Sequence, residues 1–169
     1  LEPDAVLVFN PTQDGHEATL YFHPRASRSS EEFYADSRYG EFWVGARPSL
    51  AEMSALTGLK CDSIDNMGDA LAKDLGPGQV TLRVVPQSDA KVEAQVGELR
   101  ERAGLAQNTA EADTQLTEAL SEIRLNKDAW EADEMRKAVQ VTRKGFDNII
   151  ASLPRAIAHH RGERVVEGA

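Results

Sequence analysis

The chain has 169 residues, 41% of them hydrophobic and 28% charged, the make-up of a globular protein with room for one domain or for one domain and the start of a second. A net charge of -9 excludes a dominant basic face, and with it nucleic acid as the expected partner. No run of about 18 apolar residues is present, which excludes a membrane-spanning helix, and the single Cys61 excludes an internal disulfide and suits a reducing, cytoplasmic setting.

The first segment is strand chemistry. Ala5 to Asn10 (AVLVFN) is an apolar run with Val and Phe, bounded by Pro3-Asp4 and Pro11, and predicts a buried strand. Pro11 to Gly15 (PTQDG) supplies turn residues and Glu17 to Phe22 (EATLYF) the return strand, so residues 5–22 read as a β-hairpin. His23 to Ser30 (HPRASRSS) has the composition of a solvated loop, with local positive charge from Arg25 and Arg28. Ser29 or Ser30 is placed to cap a short helical turn through Glu32 and Phe33. Glu41 to Val44 holds Phe42 and Trp43 ahead of Gly45, Arg47 and Pro48. Ser49 then opens the helix SLAEMSALTG, with Glu52 at its third position and Gly58 as its stop.

Cys61 to Ile64 is a short strand candidate, followed by a helix from about Ile64 to Leu75 that Gly76-Pro77-Gly78 ends. Val80 to Val85 (VTLRVV) predicts a further strand from its β-branched content. Asp89 opens a helix to about Ala103, with Val92, Val96 and Leu99 on one face, and Gly104 to Asn108 breaks it. Thr109 to Ile123 is helical, with Ala112, Leu116, Ala119, Leu120 and Ile123 in register. Residues 1–123 thus predict an α/β domain built on a mixed sheet, with its first strands expected to be missing.

Residues 1–125 carry 11 Lys/Arg against 21 Asp/Glu, whereas residues 126–169 carry 8 against 7. That shift puts a boundary near residue 125. Just past it, Asp128 and Glu131 form a capping pair. Met135, Ala138, Val139, Thr142, Phe146, Ile149, Ile150 and Leu153 follow as a stripe at three- and four-residue spacing. They predict about 25 residues of amphipathic helix, which Pro154 permits to end.

Few residues suggest chemistry. The adjacent His159 and His160 would point about 100° apart on a helix, whereas a helical metal pair wants spacing of three or four. His16 and His23 flank a strand without a carboxylate cluster, and Cys61 has no neighbouring His or helix start to activate it. The carboxylates of "DAWEADE" sit at a helix start, where the dipole accounts for them. Core or interdomain packing is the default for the large Trp43 and Trp130.

Arg124, Lys127, Asp128, Glu131, Met135, Arg136 and Ala138, in the arrangement R-L-x-K-D-x-x-E-x-x-x-M-R-x-A, resemble the junction in aminopeptidase P (Xaa-Pro aminopeptidase) and its prolidase and creatinase relatives. There an N-terminal α/β domain meets the first helix of a pita-bread catalytic domain. "EPDAVLVFNP", "EATLYFHPR" and "RYGEFWVGARPSLAEMSALTG" are similar to that family's strand pair and following segment, and "GERVVEGA" to its second catalytic-domain helix. The order of these pieces carries the resemblance.

The resemblance implies a domain at 1–123 and the start of a truncated catalytic domain at 124–169. It implies a parent enzyme that removes the N-terminal residue from Xaa-Pro peptides with two divalent metals, usually manganese, held by two Asp, one His and two Glu. Those ligands lie beyond the helix starting near Glu163, so no residue of this chain matches them, and the chain alone is expected to be inactive. Its implied partners are the remainder of the catalytic domain, peptides with proline second, and further copies in a homo-oligomer. Trp43, Arg47, Arg124, Lys127 and Trp130 are the candidates for an interdomain or cleft surface. A prolidase- or creatinase-like hydrolase of the same architecture and a stand-alone interaction module are the alternatives.

Overall fold

A computed structural model describes residues 2–75, 80–107, 109–158 and 162–167. The expected stop at Gly76-Pro77-Gly78, the break at Asn108, and His159 and His160 lie outside these residues. The chain divides into two units, Leu1–Asp113 and Thr114–Ala169.

In the first unit a mixed three-stranded sheet is sandwiched between helices. Strands β1 (Val6–Thr12) and β2 (Gly15–Phe22) are antiparallel, with Val6 opposite Tyr21 and Thr12 opposite Gly15. Only Gln13 and Asp14 separate them, and Gly15 takes a positive φ of 152° at the turn. Strand β3 (Lys60–Ser63) runs parallel to β2, giving the order β1-β2-β3. The end of the central strand, Thr19 to Phe22, is buried, whereas β1, expected as a buried strand, lies at the sheet edge and leaves Leu7 and Phe9 exposed.

Alternation along β2 sends Tyr21 to one face and Leu20 and Phe22 to the other. Tyr21 meets Met67 and Leu71 from α4 (Met67–Asp74), its C-cap Leu75, and Leu99 from α5 (Ala90–Arg102). Leu20 and Phe22 meet Met53 from α3 (Leu50–Thr57). Phe22 is fully buried, a burial worth about 1.5–3 kcal/mol.

The helix punctuation follows the sequence. Ser49 and Glu52 form a reciprocal capping box at α3, and Gly58 closes it at φ 71°. The Asp89 carboxylate accepts the N–H groups of Lys91 and Val92 at 2.8 and 3.1 Å to start α5. A 3-10 turn at Ile64–Asn66 precedes α4 where one continuous helix was expected.

Two further local expectations fail. Neither Ser29 nor Ser30 caps α1 (Glu32–Ala35): the N-cap position falls on Glu31, which makes no side-chain bond, and Ser30, one residue before it, donates its hydroxyl to the Ser27 carbonyl at 2.6 Å in the preceding turn. Val80 to Val85 forms no strand. Its backbone is held by side chains: the Leu82 carbonyl accepts from Arg100 Nε and Nη2 at 3.1 and 2.7 Å, and the Val84 N–H donates to Asp113 Oδ1 at 2.9 Å. With these polar groups satisfied, the segment is fixed without a sheet neighbour.

In the second unit, α6 (Thr109–Leu125), which starts in the first, gives way to the 30-residue α7 (Ala129–Ala158). Asp128 Oδ1 accepts the Glu131 N–H at 2.8 Å and Glu131 Oε2 accepts the Asp128 N–H at 2.9 Å, so the capping pair forms reciprocally. The helix does not end at Pro154. It runs on to Ala158 with proline inside, so Pro154 cannot donate to the Ile150 carbonyl. A short α8 (Gly162–Glu167) follows.

Candidate functional site

The candidate residues fall into two groups, one in each unit. In the first unit, α1 and α2 (Glu41–Val44) display a cluster of aromatic rings. Phe33, Tyr34, Phe42 and Trp43 touch in succession, with centroids 4.8, 6.0 and 5.1 Å apart. The Trp43 Nε1–H donates to the Tyr34 carbonyl at 2.7 Å, which fixes the indole. Trp43 is 62% exposed and Tyr34 and Phe42 are also exposed, so Trp43 is not core. Rings held by polar anchors while their faces remain in water are suited to contact with another apolar surface.

Arg47, four residues on, is buried at 5% exposure. Its Nε and Nη2 donate to Glu2 Oε2 at 3.0 and 2.8 Å, Nη1 donates to the Tyr39 carbonyl at 3.1 Å, and Nη2 donates to the His23 carbonyl at 2.5 Å. The guanidinium also stands 5.1 Å from the centre of the Tyr39 ring. Arg47 therefore ties the segment carrying the rings to the end of β2. A second tie joins His23 Nε2 to Glu32 Oε1 at 2.7 Å, and a third joins Arg38 and the Tyr39 hydroxyl to Asp4. The Tyr39 hydrogen bond, with the Arg38 charge, holds the Asp4 carboxyl below its ordinary range, and Asp4 in turn pushes the Tyr39 phenol up.

In the second unit, Arg124, Lys127 and Trp130 surround the start of α7. Lys127 Nζ donates to the Arg124 carbonyl at the end of α6, a position where positive charge is favourable. Trp130 is 70% exposed, so it too is outside the core. The carboxylates of this stretch are occupied. Asp128 and Glu131 make the cap, while Asp133 and Glu134 pair with Lys137 at 3.0 and 2.7 Å.

Two features escaped the sequence reading. Tyr34 and Phe42 join Trp43, and the density of aromatics over residues 33–43 was the available signal. The buried pair of Arg100 and Asp113 left little trace, because only a charged residue beside the apolar Val96 and Leu99 hinted at it. A shallow cleft of about 400 Å³ beside this pair is lined by Thr81, Arg83, Leu105 and Thr109 among others. Among the described lining residues Arg83 is the one ionisable group, so they offer no acid–base pair.

Among the described residues, no group of three or more His, Cys, Asp or Glu is placed to hold a metal ion. His16 lies edge-on to the Phe9 ring at 6.4 Å, His23 is engaged by Glu32, and Cys61 is a half-buried thiol beside α3. No described helix is long and apolar enough to cross a membrane.

Comparison with known proteins places these features in context. The chain is 41% identical over 165 residues to Xaa-Pro aminopeptidase 1 of Streptomyces coelicolor, covering 98% of this chain and 30% of that protein. The same values hold for Xaa-Pro aminopeptidase 1 of Streptomyces lividans. Xaa-Pro aminopeptidase 2 of Streptomyces coelicolor is 39% identical over 166 residues, covering 98% of this chain and 32% of the relative. The chain thus spans about a third of the length of the curated relatives it matches. No family model and no solved structure matches it.

Proposed function

We propose, from the premise that this chain belongs over the segment it spans with the Xaa-Pro aminopeptidases, that it forms the non-catalytic portion of a metallo-aminopeptidase and the start of its catalytic domain. The whole protein removes the N-terminal residue from peptides with proline second. The observation that carries this reading is 41% identity sustained across 98% of the chain, which spans both units rather than one motif.

The family resemblance implies a pair of divalent metals, manganese being the expected one. The described residues do not fit such a group, since their carboxylates and imidazoles gather in no cluster of three. The pair is assigned to the part of the protein outside this chain.

The role left to this chain is mechanical. Residues 1–123 wall the entrance to the catalytic cleft, restrict it to short peptides and contribute to a homo-oligomer, with the fixed rings around Trp43 as the contact surface. Residues 124–169 begin the pita-bread domain. Arg124, Lys127 and Trp130 set the junction, and Arg47 keeps the aromatic segment in place. Along α7, Met135, Val139, Phe146, Ile150, Leu153 and Ile157 are exposed. At about 100° per residue they fall within a sector of roughly 60°. The remainder of the catalytic domain is the proposed cover for that stripe. The lone Cys61 accords with a cytoplasmic setting.

The test compares this chain with a protein extended to the length of its relatives. Both are loaded with manganese and given a peptide with proline second and a matched peptide with alanine second. The extended protein is expected to release the N-terminal residue from the proline peptide, and the 169-residue chain to release none. A folded, metal-loaded extended protein that leaves the Xaa-Pro bond intact overturns the reading.

A further inference from the structure

We draw no further inference here: the strongest candidate, the exposed aromatic patch of Tyr34, Phe42 and Trp43 on α1 and α2, carries nothing beyond the role proposed above because nothing in the structure shows what covers it.

Discussion

Replacing Arg100 with Met tests whether side chains, rather than a sheet, hold the segment from Val80 to Val85. Arg100 Nη1 and Nη2 donate to the two Asp113 oxygens at 2.9 and 2.6 Å, while Nε and Nη2 donate to the Leu82 carbonyl at 3.1 and 2.7 Å. Both side chains are about nine-tenths buried. Methionine keeps an apolar stem of similar reach but takes the guanidinium away from a buried carboxylate. Removing one partner of such a pair costs about 3–5 kcal/mol. For a chain of this size that corresponds to a fall in Tm of roughly 6–20 °C. Urea unfolding followed by circular dichroism measures the loss.

The pH dependence supplies an independent check. Burial pushes the Asp113 carboxyl up, but the Arg100 hydrogen bond, the Val84 N–H and the Arg100 charge outweigh it and hold the group below its usual 3.8. A depressed folded pKa gives stability that is present above the unfolded value of about 3.9 and lost as pH falls through the folded one. Without the guanidinium, burial is still opposed by the Val84 N–H and the Arg83 charge, but the Asp113 carboxyl rises from its wild-type position, so the variant loses less stability on acidification than the wild type does. The deficit of R100M should therefore be largest at neutral pH and shrink on acidification. A deficit below about 1 kcal/mol at pH 7, or one independent of pH, would refute the argument.

Three further outcomes follow from local geometry. Asp128→Ala removes one half of the reciprocal cap and should cost about 1 kcal/mol, with faster amide exchange confined to the first turns of α7; unchanged exchange there would contradict the cap. A Cβ added at Gly40 would stand 2.6 and 2.7 Å from the Glu32 and Phe33 carbonyl oxygens and closer still to that of Asp36. Gly40→Ala should thus cost about 1–3 kcal/mol and alter Trp43 fluorescence, read in a Trp130→Phe background, whereas wild-type stability and emission would discard the close approach. Tyr39 should ionise above the ordinary tyrosine value of 10.0 because its hydroxyl donates to Asp4. Ultraviolet titration should show Asp4→Asn bringing it down, and an unmoved titration would remove the Asp4 tie.

Local signals proved legible where one residue type has one strong physical use. Ser49 with Glu52, Asp89, Asp128 with Glu131, and Gly58 each mark a helix end that forms as read. The hairpin was visible because an apolar run, turn residues and a second run occur in immediate succession. The reading failed where tertiary partners decide. VTLRVV has strand propensity, but its backbone bonds go to Arg100 and Asp113, whose positions depend on two later helices. Ser30 could cap a helix or close a turn, but α1 starts one residue later with Glu31 at its N-cap, and the Ser30 hydroxyl donates to the Ser27 carbonyl. Pro154 permits a helix to end without compelling it, so α7 continues for four residues. Arg47 was legible as a residue of note, but no spacing revealed its partners Glu2 and His23, which folding brings from distant positions.

The same limit governs two apolar stripes of similar spacing, of which the sequence reading named the one on α7. Met67 and Leu71 on α4 and Leu75 at its C-cap repeat every four residues and are buried, because the hairpin and α5 lie against them. Met135, Val139, Phe146, Ile150, Leu153 and Ile157 on α7 have comparable spacing and remain exposed. Spacing encodes which face seeks cover, and the cover itself is a property of whatever chain is near. Full burial contributes about 1.5–3 kcal/mol per large apolar side chain. Six such residues therefore represent gross stabilisation on the order of 10 kcal/mol, as large as the net stability of an ordinary domain. On the proposed reading, that energy is realised only when the rest of the catalytic domain closes over α7, which makes the helix a coupling element between the two parts of the enzyme.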